Sequence, residues 1–404
     1  MKRLRSTLKF GLALTTLTSS ALLAPAQSTG ASTVMQTDSE VAASLNLGGT
    51  ASVKSVSCST ASFCVAGGSF TNSSGGDQAF VSVYNGSSWT DSEIAASLNI
   101  DNDAQVNSVS CYSASFCLSG GSFRNSSAVG YQAFVSVYNG TTWSDREVAA
   151  SLNTGGSASV GSVSCSTASF CVAGGSYADS SYNLQAFVSV YNGTTWSDRE
   201  VAKSFTSNSQ ASVNSVSCFA PKFCVAGGSY LGSTTGYQAF VSVYNGTTWS
   251  DREVAGSLNS GNAHVNSVSC YSASFCVAGG AGGGAGGFYS NSSGVSTAFV
   301  SVYNGTSWTD SEVARSLNLK TVSFASVNGV SCSTASFCVA GGSYADSSHH
   351  NQAFVSVYNG ATIKIKATAT SKKPVTTTVN CYKGKLLKKV TAVKPVCPAG
   401  YVKK

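Results

Sequence analysis

Val213-Asn-Ser-Val-Ser-Cys218, Phe223-Cys-Val-Ala-Gly-Gly228, Gln238-Ala-Phe-Val-Ser-Val-Tyr244 and Thr248-Trp-Ser-Asp-Arg-Glu-Val254 are four short segments separated by turn residues. The third alternates apolar and small polar residues and is rich in β-branched and aromatic side chains, as a half-buried strand requires. Asn245-Gly246 joins it to the fourth; this dipeptide is a strong hairpin signal and predicts a type I′ turn with positive φ at both positions. No segment carries a long apolar stripe of helical period. The stretch therefore reads as four antiparallel strands in sequence order.

The same unit recurs along the chain. Ser55-Val-Ser-Cys58 has counterparts ending at Cys111, Cys165, Cys218, Cys270 and Cys332, at intervals of 53, 54, 53, 52 and 62 residues. A period near 50 residues belongs to propellers and solenoids, in which each unit completes its core against its neighbour. Six four-stranded antiparallel units predict an all-β, six-bladed β-propeller. Residues 37–46 match the fourth-strand segment 90–99 almost residue for residue and precede the first full repeat. The last repeat lacks that segment. Residues 36–46 are therefore expected to close the ring as the outer strand of the sixth blade, with Ile363-Lys-Ile-Lys366 as the competing strand.

An apolar run, Gly-Gly, a Tyr and then a Trp five residues later resemble the kelch motif, as in Cys171-Val-Ala-Gly-Gly175 with Tyr191 and Trp196. The resemblance covers about 320 residues. It implies a six-bladed propeller whose second-to-third-strand loops gather on one face. The paired Cys are more similar to repeats of secreted bacterial, especially actinobacterial, propellers. Ser242-Val-Tyr-Asn-Gly-Thr-Thr-Trp249 also resembles a sialidase Asp-box, but Tyr244 stands at the Asp position, so no sialidase chemistry is expected from it.

Twelve Cys form six Cys-x5-Cys pairs: Cys58 with Cys64, Cys111 with Cys117, Cys165 with Cys171, Cys218 with Cys224, Cys270 with Cys276 and Cys332 with Cys338. Each pair brackets the turn between the first two strands, where its members can face across a hairpin. Structural zinc sites space their cysteines by about two to four residues and need a second pair or His. Disulfides are expected instead, and Cys381 with Cys397 completes a seventh. Only His264, His349 and His350 are present, so no metal and no cofactor are expected.

Charge divides unevenly. Residues 27–360 hold 9 basic and 17 acidic side chains, a net of −8, whereas residues 361–404 hold 11 Lys and no acid. The overall +7 thus hides an acidic body and a basic tail, which argues against nucleic acid as the body's partner. Lys2, Arg3, Arg5 and Lys9, an apolar run to Leu23 and Ala24-Pro25-Ala26 have the layout of a secretory signal peptide. The expected organisation is a signal peptide over residues 1–26, the propeller over 34–366, a Thr- and Lys-rich linker over 367–378 and a disulfide-closed basic module over 379–404. Export to an oxidising compartment agrees with paired Cys. No internal apolar run is long enough for a membrane span.

Candidate chemistry is sparse. Asp-x-Glu recurs in every fourth strand, from Asp38/Glu40 to Asp310/Glu312. Charge on an outer strand is expected to guard the edge against pairing rather than to form a site. The loops after Gly-Gly vary most between repeats, and loops on rigid scaffolds are where binding residues gather. Their aromatic candidates are Tyr131, Tyr177, Tyr182, Tyr230, Tyr237, Tyr289 and Tyr344. No catalytic residue is singled out. The expected function is a secreted or cell-surface, monomeric, non-enzymatic propeller that binds a glycan or protein on its loop face. Its basic tail would hold an anionic envelope polymer. The alternatives are an extracellular glycosidase or lyase, and a structural envelope protein.

Overall fold

The computed structural model describes residues 38–125, 130–205, 210–232, 236–259, 261–283, 296–317, 324–359, 377–392 and 395–403. The chain divides into residues 1–40, of which 38–40 are described as coil, and residues 41–404, which hold every described strand.

The described residues are all-β. The first sheet is β1 (Ala51–Thr60), β2 (Phe63–Thr71), β3 (Asp77–Tyr84) and β4 (Trp89–Glu93). The second is β5 (Ala104–Ser113), β6 (Phe116–Arg124), β7 (Tyr131–Tyr138) and β8 (Trp143–Val148). The third is β9 (Ala158–Thr167), β10 (Phe170–Ala178), β11 (Leu184–Tyr191) and β12 (Trp196–Glu200). The fourth is β13 (Ala211–Ala220), β14 (Phe223–Gly232), β15 (Gly236–Tyr244) and β16 (Trp249–Val254). The fifth is β17 (His264–Ser272), β18 (Phe275–Gly283), β19 (Ser296–Tyr303) and β20 (Trp308–Glu312). The sixth has three described strands, β21 (Ala325–Thr334), β22 (Phe337–Ala345) and β23 (Asn351–Tyr358). In each sheet the strands lie antiparallel in sequence order. The tail forms its own sheet from β24 (Thr377–Lys383), β25 (Leu386–Ala392) and β26 (Val402–Lys403), in the order β25-β24-β26. No described helix is long and apolar enough to cross a membrane.

The sheets are joined face to face by one repeated contact, and the first glycine of each Gly-Gly pair makes room for it, while the second lies against its own sheet's first strand, as Gly228 does against Ser212. A methyl group on Gly227 would lie 2.6 Å from Val265 Cγ1 and 2.7 Å from Val268 Cγ2 of the following sheet. Gly67, Gly120, Gly174 and Gly279 meet the corresponding valines at 2.5–2.8 Å. Glycine is needed because the two backbones approach to the thickness of one valine. Phe223 stacks on Tyr303 of the next sheet at 6.0 Å, and Phe63, Phe116, Phe170 and Phe275 repeat the pairing at 5.7–6.4 Å. Polar groups follow the same register. Ser215 Oγ accepts from the Val268 N–H at 3.0 Å and Ser217 Oγ from the Cys270 N–H at 3.0 Å.

The connection between sheets is equally regular. Ala95, Ala149, Ala202, Ala255 and Ala314 all take φ of 55–60°, in the left-handed region. Leu98 and Asn99 donate their N–H groups back to the Ala95 carbonyl, both at 2.9 Å. Ala42 repeats this turn at φ 59° and packs with Leu45 on Phe70 and Phe80. Residues 38–46 thus contain a turn and no strand, unlike the expected closing strand. Residues 41–46 match the connection into which a fourth strand leads; residues 38–40 match Asp91–Glu93 of β4 but are coil, and residues 36–37, which match the start of β4, lie outside the described residues. Residues 363–366, the competing strand, also lie outside them.

All seven expected disulfides are present, and no described Cys is free. Each repeat pair sits at directly opposed positions of the first two strands, with Cα atoms 4.0–4.1 Å apart. The Asn-Gly turn differs from expectation. Gly246 has φ of 100°, but Asn245 is not in the positive region. Asn245-Gly-Thr-Thr248 is a four-residue loop in which Asn245 Oδ1 accepts from the N–H groups of Thr247 at 3.0 Å and Thr248 at 2.9 Å. The Asn side chain closes the loop as an Asx turn, so its backbone needs no left-handed conformation.

Candidate functional site

The repeats are so alike that residues departing from the pattern mark the place to look. The strongest departure lies where the first sheet meets the second. The connection there reads Asp101-Asn-Asp103, β6 ends in Arg124 and β7 begins with Tyr131. Buried Asn99 holds this connection down. Its Nδ2 donates to Gln78 Oε1 at 2.7 Å, and its Oδ1 accepts from the Asp103 N–H at 2.8 Å. Gln78 Nε2 then donates to Asn102 Oδ1 at 3.0 Å, and Asp103 forms a bridge with Asp77. The backbone of Arg124 is fixed by its N–H donating to the Asp103 carbonyl at 2.9 Å.

On this frame the Tyr131 hydroxyl donates to Asp103 Oδ2 at 2.5 Å, and the Arg124 guanidinium lies 6.0 Å from the Tyr131 ring centre. The hydrogen bond to Asp103 holds the phenol above its ordinary value; partial burial adds to it. Two depressions flank the group. One, of about 440 Å³, is lined by Ser74, Asp77, Asp101, Asn102, Asp103 and Arg124. The other, of about 320 Å³, is lined by Tyr131, Gln105, Ser122, Ser157 and Ser159. Carboxylates, a guanidinium, an amide, hydroxyls and an aromatic ring are thus held on a rigid rim. Such a set hydrogen-bonds vicinal hydroxyls and stacks against an apolar ring face.

The other sequence candidates have different surroundings. Tyr177 and Tyr230 are buried in the core between sheets, against Phe187 and Phe205. Tyr230 Oη donates to Glu253 Oε2 at 2.6 Å, and Tyr177 is hydrogen-bonded to Glu200; burial first, then these carboxylates, raise both phenols. Neither ring offers a face to a ligand. Tyr237 is half-buried and donates to Gln210. Tyr344 is half-buried against the core of the sixth sheet. Tyr182 is 75% exposed in the third sheet's loop. Tyr289 lies outside the described residues.

The fourth-strand carboxylates are used inside the body rather than as a solvated guard. Asp198, Asp251 and Asp310 each accept from the serine opposite them, Ser189, Ser242 and Ser301, at 2.5–2.6 Å. Asp145 Oδ2 and Asp310 Oδ2 also accept the N–H of Ala95 and Ala255, the left-handed residues that lead from the preceding sheet, at 2.8 and 2.9 Å. Burial raises Glu93 and Glu147 above the usual carboxylate range. Among the described residues no group of three or more His, Cys, Asp or Glu is placed to hold a metal ion. An apolar cavity of about 180 Å³ lies between the fifth and sixth sheets, lined by Val277, Val300, Val302, Cys338 and Tyr358. Trp143, Trp196 and Trp249 pack against the corresponding places in earlier joints, which marks the cavity as part of the packing pattern.

No protein-family model matches the chain, and no curated protein matches it. Solved structures do. A Hadza microbial sialidase is similar with a TM-score of 0.42 and 13% identity over 74% of this chain and 64% of its own. A protein of unknown function from Dyadobacter fermentans is similar with a TM-score of 0.43 and 12% identity over 76% and 94%. The fucose-specific lectin of Aleuria aurantia has a TM-score of 0.35 and 11% identity over 78% and 98%. The chain spans less than two thirds of the Hadza sialidase's length. The expectation of a non-enzymatic chain is corrected by these matches: several of the similar structures are sialidases, which are enzymes, at 9–13% identity.

Proposed function

We propose that the chain recognises a glycan at the rim between its first and second sheets, with Tyr131 as the stacking face and Asp101, Asp103 and Arg124 as hydrogen-bonding groups. The observation that carries this reading is asymmetry. In a body of near-identical repeats, one joint has a unique acidic connection hydrogen-bonded to an aromatic ring, with a unique Arg whose guanidinium lies 6.0 Å from that ring's centre. Tyr182 and Tyr237 extend the same loop edge as secondary contacts. The six sheets are the units of a kelch-like, propeller-type body exported to the cell surface or medium. The Lys-rich module of residues 379–404 attaches it to an anionic envelope polymer, an attachment that weakens with salt because exposed charges are screened over about 8 Å at physiological ionic strength.

The test is a glycan array followed by titration of the best hit. Tyr131→Ala and Arg124→Ala are expected to weaken binding at least tenfold, since each removes a group fixed on the rim. Tyr177→Phe is expected to leave it unchanged. Release of free sugar during the titration would place a hydrolytic reaction at the same rim. Full binding by both rim variants would overturn the assignment.

A further inference from the structure

The repeated joint has two halves, and the described body ends in one of each. The sixth sheet carries the groove half. A methyl on Gly341 would meet nothing closer than its own sheet's Phe354 O and Val355 Cγ1 at 4.0 Å, unlike the five other glycines of its kind. Phe337 is 44% exposed, whereas Phe63, Phe116, Phe170, Phe223 and Phe275 are all buried or nearly so against the next sheet. The first sheet carries the ridge half. Val53 and Val56 are 44% and 58% exposed, while Val106, Val160, Val213, Val265 and Val327 in the position of Val53 are buried.

Polar groups match as well. Asn107, Asn214 and Asn266 each donate across a joint to a valine carbonyl of the next sheet, at 2.8–2.9 Å. Asn328 occupies their position in the sixth sheet and is exposed; its acceptor in the pattern is the Val53 carbonyl. Ser331 is exposed in the position of Ser57 and Ser217, which accept a cysteine N–H of the next sheet. Gly329 replaces the other joint serine, so this half-joint keeps one of two such hydrogen bonds.

We propose that a second copy of this chain fills these faces head to tail, with Val53 and Val56 of one copy seated on Gly341 and Phe337 of the other. The five internal joints form while Val53, Val56 and Phe337 stay exposed, so the two end faces are not packed on each other. A second copy makes the sixth joint with no change in the others. The contact is heterologous, so association is expected to run on into chains or a ring.

The experiment is light scattering of the mature, full-length protein across a wide range of concentration. The expected mass rises in whole multiples of the single chain. Gly341→Val puts a side chain in the groove where its Cβ meets nothing closer than 4.0 Å, and Val56→Asp charges the ridge at an exposed position. Each variant alone is expected to stay a single chain with an unchanged melting temperature. Mixed, they keep one intact ridge and one intact groove, so they are expected to form pairs and nothing larger. A wild type that stays single at every concentration would overturn the proposal. So would variants that assemble like wild type, or a mixture that remains single.

Discussion

At the residue scale, side-chain roles follow the neighbouring sheet more than the residue's own strand. Tyr177 and Tyr230 look like loop aromatics in sequence, because each stands at the end of a strand before a variable loop. Their register buries them instead: Tyr177 meets Phe187 and Glu200 of its own sheet, and Tyr230 meets Phe205 of the preceding connection and donates to Glu253 of its own sheet. Sequence pattern alone does not carry that inter-sheet register. The Arg124–Asp103–Tyr131 group was legible only as a departure from the repeat, and a search for aromatic loop residues finds Tyr131 without its partners. His264 stands where other repeats have a small polar residue such as Ser212, and burial lowers its pKa below the ordinary 6.5. A folded-state value below the unfolded one means the unfolded chain takes up its proton first as pH falls. Stability from this site is therefore full above the ordinary value and is lost as pH drops from about 6.5 toward the lowered value. His264→Ser is expected to flatten the fall in melting temperature between neutral and mildly acidic pH. An unchanged slope would assign that fall to other groups.

At the element scale, the hairpins and their cystines were readable, because a Cys-x5-Cys pair around a short turn has little choice of partner. The closure of the Asn-Gly loop was not, since the same dipeptide serves a two-residue turn or an Asx-capped four-residue loop, and Thr247 and Thr248 decide it by donating to Asn245. The cross-strand cystine closes a small loop, so the chain-entropy model assigns it about 2 kcal/mol. Replacing Cys218 and Cys224 together by Ser is expected to lower the melting temperature by a few degrees without changing the fold. Thiol titration of the denatured, unreduced wild type is expected to find no reactive Cys. The sixth sheet should be the least protected. Val355 is 74% exposed, whereas the corresponding Val241 is fully buried. Few buried contacts give low local stability. In solution dilute enough to keep the chain single, amide hydrogens of β23 are therefore expected to exchange faster than those of β15; equal protection there would show β23 covered within the chain.

At the scale of the whole molecule, six weakly apolar sheets become a body through one joint used repeatedly. Its parts were visible in sequence as Val-x-x-Val and Gly-Gly, but their meeting was not, because they lie in consecutive repeats and touch only when sheets stack. The expectation of a ring closed by residues 36–46 rested on strand pattern, whereas the turn at Ala42 is the connection that leads away from such a strand. The central claim is that the first glycine of each Gly-Gly pair is the socket for the next sheet's valines and that the last socket is open in a single chain. Melting temperatures of Gly67→Val, Gly120→Val, Gly174→Val, Gly227→Val, Gly279→Val and Gly341→Val, measured in dilute solution, test it most directly. The first five variants force side chains into contacts of 2.5–2.8 Å and are expected to melt several degrees lower, in keeping with about 1–3 kcal/mol for overpacking. Gly341→Val is expected to melt with the wild type. A loss at Gly341 as large as at the other five would show the socket already filled within the chain and would contradict the account.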